Sequence, residues 1–121
     1  LEPDLQPLDP LNPLSLHELF DLDDDSFRAR FRRSPLWRSK RRGILRNAAI
    51  VLGNQGSVDS LLPLCQGLSD EEPLIRGASA WALGQLPTPL AAEALTRQLR
   101  IESDPQVAKE IQQALQLANA S

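Results

Sequence analysis

The chain has no tyrosine, no methionine and a single cysteine, Cys65. One thiol excludes an internal disulfide and any cysteine-cluster metal site built from this chain alone, and it points to a reducing compartment, the cytoplasm. Aromatic residues make up only 4%. Val and Ile are sparse beside Leu and Ala, so a strand-rich core is short of material and helix is favoured. No apolar run approaches the length of a membrane span, and no charged-then-apolar leader precedes the domain. A natural chain starts with Met and this one starts at Leu1, so it reads as a fragment of a longer polypeptide. A length of 121 residues with 41% hydrophobic residues fits one domain with a modest core.

Acid is missing from one stretch in particular. Residues 27–47, FRARFRRSPLWRSKRRGILRN, carry Arg28, Arg30, Arg32, Arg33, Arg38, Lys40, Arg41, Arg42 and Arg46, nine of the 13 cations, in a chain of net charge −3. Residues 1–25 carry only acids: Glu2, Asp4, Asp9, Glu18, Asp21, Asp23, Asp24 and Asp25. Such segregation is informative where the sum is not. Cations four apart on a helix repel each other, and Arg near a helix N-terminus opposes the macrodipole. The bland alternatives are a solvated face or self-pairing with Asp21–Asp25, but those four aspartates are too few for nine cations. The surplus points to a polyanion, with the nine cations as its contacts.

Residues 1–14 contain four of the ten prolines and read as an extended linker, leaving 15–121 as the folded domain. Ser15 and Glu18 have capping-box spacing, so a short helix is expected over 16–21. Asp23–Asp25 would open a second helix containing Phe27 and Phe31. At Ser34-Pro35-Leu36-Trp37 the serine caps and the proline takes the first helical position. Free N–H groups there, flanked by Arg32, Arg33 and Arg38, suit a phosphate. The helix is expected to run to Gly53, with glycine as its left-handed stop. On a helical wheel Trp37, Ile44, Leu45, Ala48, Val51 and Leu52 share one face, and Arg38, Arg41, Arg42 and Arg46 a neighbouring stripe.

A repeat follows at a shift of 31 residues, pairing Ile44 with Ile75, Leu52 with Leu83, Gly53 with Gly84, Leu64 with Leu95 and Leu68 with Leu99. A partial third copy puts Val107 in the place of Ile75, with a last helix over 105–119. Equal-period helix pairs define an all-α, stacked α-solenoid. The stretch SDEEPLIRGASAWALG resembles the short HEAT-type repeat, also seen in phycobilin lyases.

Other residues give weaker signals. Trp37 could stack on a base, but its wheel position favours packing. Trp81, among small residues, reads as core. His17 has no partner ligand and reads as a surface or capping residue. Cys65, in LLPLCQGL, reads as a buried small hydrophobe. Asn47 and Asn54 are helix-end contacts or base readers, and nothing in the sequence separates the two. No catalytic triad, carboxylate pair or glycine-rich phosphate loop is present, so no catalytic, cofactor or metal residue is assigned.

The stretches SFRARFRRSP and KRRGILRNAAIVLGN, followed by two HEAT-like copies, are similar to the C-terminal part of bacterial epoxyqueuosine reductases, which complete queuosine in tRNA. The resemblance implies a parent oxidoreductase that uses cobalamin and two 4Fe–4S clusters, all held in a catalytic domain upstream of this chain. It implies that this part docks the tRNA anticodon stem-loop, a role that maps onto the nine cations. The likeness to HEAT-type repeats, for its part, implies that Arg76 is structural, paired with an acid in an adjacent turn, Asp70 or Asp104. The expected partners are tRNA and the upstream catalytic domain, with no membrane and no DNA, and the expected state is a monomer. The alternative is a HEAT-repeat module for protein interaction or bilin handling, marked by a large exposed apolar groove.

Overall fold

In the computed structural model the described residues are 13–21 and 37–119, with side chains described for 16–20 and 41–118. The linker over 1–12, the helix around Phe27 and Phe31, and the Ser34–Pro35 helix start lie outside them.

The described residues form six α-helices: α1 (Pro13–Asp21), α2 (Trp37–Gln55), α3 (Leu61–Leu68), α4 (Pro73–Gly84), α5 (Pro89–Ile101) and α6 (Pro105–Asn119). A single 3₁₀ turn, Val58–Ser60, precedes α3. The described residues include no strand, and the fold is all-α as the sequence predicts. The α1 helix begins at Pro13, inside the stretch read as linker. Three later helices start at a proline, whose missing N–H costs nothing in the first turn. Thr88 caps α5 by accepting the Leu90 N–H at 3.3 Å. Asp104 caps α6, its Oδ1 accepting from the N–H groups of Gln106 (2.8 Å) and Val107 (3.1 Å).

The helices stack in two layers, with α2, α4 and α6 side by side and α1, α3 and α5 packed across them. Between the layers Leu45, Leu52, Leu64, Leu83, Leu95 and Ile111 are at most 1% exposed, each contributing about 1.5–3 kcal/mol of burial. The repeat-matched pair Leu52 and Leu83 is fully buried, which the 31-residue shift predicts.

The repeat glycines differ from expectation. Gly53 lies within α2, and the left-handed residue is Gly56, at φ 65°. Gly53 and Gly84 are crossing points instead. A Cβ on Gly53 would lie 2.9 Å from Ala82 Cα, and one on Gly84 2.9 Å from Ala114 Cβ. Each lets one inner helix touch the next. Trp81 is also not a core residue: it packs against Gly53 but stays half-buried.

Candidate nucleic-acid interface

Of the nine cations, Arg28, Arg30, Arg32 and Arg33 lie outside the described residues, and Arg38 and Lys40 are described as backbone only, in the first turn of α2. Arg41, Arg42 and Arg46 are described in full, and the fold treats them differently.

Arg41 is 8% exposed. It stands on the core stripe of α2, one turn before Leu45. Both terminal nitrogens of its guanidinium donate to the Asp70 carboxylate, Nη1 to Oδ1 at 3.2 Å and Nη2 to Oδ2. Asp70 Oδ1 also accepts the Glu72 N–H at 2.9 Å, which orders the turn into α4. Arg41 therefore binds its own fold and does not share the stripe of Arg42 and Arg46. Arg42 keeps 43% of its side chain exposed and stands 3.9 Å from Glu72 Oε1. An exposed pair of this kind is worth about 0–1 kcal/mol, so a phosphate can compete for it. Arg46 is exposed, with Asn47 Oδ1 at 3.4 Å from its Nη1.

A second clamp repeats the first one turn of the solenoid later. Arg76 donates from Nε and Nη2 to Glu102 Oε1 (2.9 Å) and Oε2 (2.8 Å). Its Nη1 reaches the carbonyls of Asp70 (2.9 Å) and Glu71 (3.0 Å). The sequence reading offered Asp70 or Asp104 as the acid. The acid is Glu102, because Arg41 holds the Asp70 carboxylate and Asp104 caps α6. The signal was available: Glu102 follows Asp70 by the same 32 residues that separate Val107 from Ile75. Burial acts to raise the Glu102 carboxyl, but hydrogen bonds from Arg76, Gln98 and the Asp104 N–H outweigh it and hold it below its ordinary value. The hydrogen bond to Glu102 raises Arg76, against the opposing effect of burial.

On the outward side of α2, α4 and α6 lies an open groove of about 580 Å³. Ile50, Leu74, Gly77, Ala78, Trp81 and Val107 form its floor. Arg46 stands on the α2 wall, and Asp104, Gln106 and Glu110 on the α6 wall. The sequence reading missed this surface, although Leu74, Gly77, Ala78 and Trp81 recur at helical spacing opposite buried Ile75, Ser79 and Leu83. An apolar stripe on both sides of one helix was the available sign.

The remaining candidates are structural. His17 Nε2 lies 3.0 Å from Ser60 Oγ and links α1 to the 3₁₀ turn. Cys65 is only half-buried, and burial raises its thiol despite Arg97 nearby. Among the described residues no group of His, Cys, Asp and Glu could hold a metal ion, and no helix is long and apolar enough to cross a membrane.

Two layers of paired helices with clamped turns define a helical-repeat scaffold, and the family of HEAT repeats matches residues 36–116. The chain belongs to the HEAT-repeat family. It is similar to epoxyqueuosine reductase of Bacillus subtilis, 32% identical over 100% of this chain and 32% of that protein. It is 39% identical to epoxyqueuosine reductase of Xanthomonas campestris over 69% of this chain and 24% of that protein. A crystal structure of epoxyqueuosine reductase with an epoxyqueuosine-modified tRNA-Tyr stem loop superposes with a TM-score of 0.73 at 32% identity, covering 86% of this chain and 28% of that one. The resemblance seen in the basic motifs thus holds in sequence and in fold. The chain spans a third or less of the length of these relatives.

Proposed function

We propose that this chain is the tRNA-docking module of an epoxyqueuosine reductase, gripping the anticodon stem-loop through its sugar–phosphate backbone. The observation that carries the reading is the fold shared with a reductase crystallised with a tRNA stem loop. The charge pattern supports it: Arg42 and Arg46 sit one turn apart on an accessible edge of α2, continuing the cationic run of residues 28–40. Guanidinium groups in such a row position a phosphate chain without reading bases. Arg41 serves indirectly, by fixing α2 to the Asp70 turn. In this reading residues 15–121 dock the RNA, 1–14 connect to the upstream catalytic domain, and the chain works as a monomer in the cytoplasm.

Cobalamin and the 4Fe–4S clusters belong to the remainder of the parent enzyme. A four-iron cluster takes several thiolates, and this chain has one cysteine. The chemistry that removes the epoxide oxygen is assigned to no residue here.

A filter-binding titration of a tRNA anticodon stem-loop tests the reading. Log affinity should fall linearly with log salt, and Arg42→Glu with Arg46→Glu should weaken binding by at least roughly tenfold and flatten the slope by about 0.7–0.9 per lost phosphate contact. Arg41 is left out of this variant because its loss would attack the fold. Wild-type affinity in a double variant that melts normally would sink the proposal.

A further inference from the structure

The groove on the α2–α4–α6 face has a feature that the fold does not explain. Gly77 lies inside α4 on the groove floor, where glycine costs a helix about 0.5–1 kcal/mol relative to alanine. Gly53 and Gly84 are required by neighbouring helices, but a Cβ on Gly77 would meet only Glu110 Cγ, at 3.8 Å. No close approach within the described fold accounts for it. A glycine on the floor of an open groove admits another backbone close to the helix. Leu74, 49% exposed, and the open side of Trp81 flank that point. The floor continues past Trp81 to Leu117, 53% exposed, at the far end of α6.

Charge selects the occupant. The walls carry one cation, Arg46, and two carboxylates, Asp104 and Glu110, a local balance of −1. A phosphate chain laid here would face both acids, whereas a Lys or Arg side chain would meet them. Trp81 adds a ring on which an apolar side chain or the stem of a cation can lie. We propose that the groove is a docking site for a polypeptide segment of a partner protein. That segment presents an apolar side chain to the Leu74–Gly77–Trp81 floor and a lysine or arginine to the Asp104–Glu110 wall. The site is separate from the RNA-gripping edge, and Arg46 borders both.

Panning a random peptide display library against the whole chain tests this. Enriched peptides would then be titrated by fluorescence anisotropy against the parent chain, Gly77→Gln, Glu110→Lys and the milder Glu110→Gln. The expected result is a selected pattern of one apolar anchor with a cation about one helical turn away. Binding should weaken roughly tenfold in Gly77→Gln and Glu110→Lys, and less in Glu110→Gln, while the melts by circular dichroism stay intact. Oligo-uridine titrated in parallel should be indifferent to Gly77→Gln. Three results overturn the proposal: no enrichment, enriched peptides without charge preference, or peptides held as tightly by every variant. Loss of oligo-uridine binding in Gly77→Gln overturns it as well, and gives the groove to RNA.

Discussion

Adding a methyl group to Gly77 and adding one to Gly84 should move the melting temperature in opposite directions. At Gly77 the new carbon meets only Glu110 Cγ, at 3.8 Å, an ordinary contact, so alanine brings its helix propensity without a clash and stabilises by about 0.5–1 kcal/mol. At Gly84 the nearest atoms are Cβ, Cα and carbonyl oxygen of Ala114, at 2.9, 3.0 and 3.1 Å. A backbone cannot swing aside, so the same substitution overpacks the α4–α6 crossing and costs about 1–3 kcal/mol. Thermal melts of Gly77→Ala and Gly84→Ala check both, and shifts of equal sign would contradict the crossing geometry. The arginines divide in a similar way. Arg41→Ala abandons a buried carboxylate and should lose about 3 kcal/mol, whereas Arg46→Ala should stay within about 0.5 kcal/mol of the parent, as urea midpoints would show. A wheel of α2 sets Arg41 between Ala48 and Leu45, on the core stripe, and Arg46 well away from it, but a charged residue on a core stripe names no partner. Asp70, 29 residues away, decided the matter, and that contact exists only once the repeats stack.

Two helices of the α2–α4–α6 layer carry an arginine that reaches the turn before the next one: α2 through Arg41 to Asp70, α4 through Arg76 to Glu102. The second clamp makes stability depend on acid. Glu102 gives up its proton more readily folded than unfolded. Its contribution is therefore complete above the unfolded value of about 4.3, and it is lost as the pH falls through the lower, folded value. Urea midpoints between pH 7 and pH 3 should drop for the parent chain and drop less for Glu102→Gln, which starts from a lower midpoint. Parallel curves would mean that the clamp carries no linkage. At this scale the sequence was largely legible. The last helix begins at Pro105 as expected, and the 31-residue shift matches real burial. The stop at Gly53 was misread because a glycine at a helix crossing and a glycine at a helix end look alike in one chain. The partner of Arg76 was misread because Glu102 sits among other acids, and capping by Asp104 is a three-dimensional fact.

In a stack of this kind each helix pair leans on its neighbours, and stability accumulates from one interface to the next. The α4 helix is the hub, packed by α2 on one side and α6 on the other, with α3 across it. Amide hydrogen exchange should report the slowest protons in α4 and earlier exchange toward the last turns of α6. Uniform protection from α2 to α6 would argue for one indivisible unit. The resemblance and the charge run were readable at this scale from the basic motifs alone. Of the groove only the second apolar stripe of α4 was readable, since its walls come from α2 and α6, far away in sequence.

The α6 helix supplies the acidic wall of the groove, while the arginine edge belongs to α2. Peeling α6 away would empty the one surface and leave the other standing. On the two proposals above, a truncation near residue 104 should thus abolish peptide binding in the anisotropy titration while oligo-uridine binding persists.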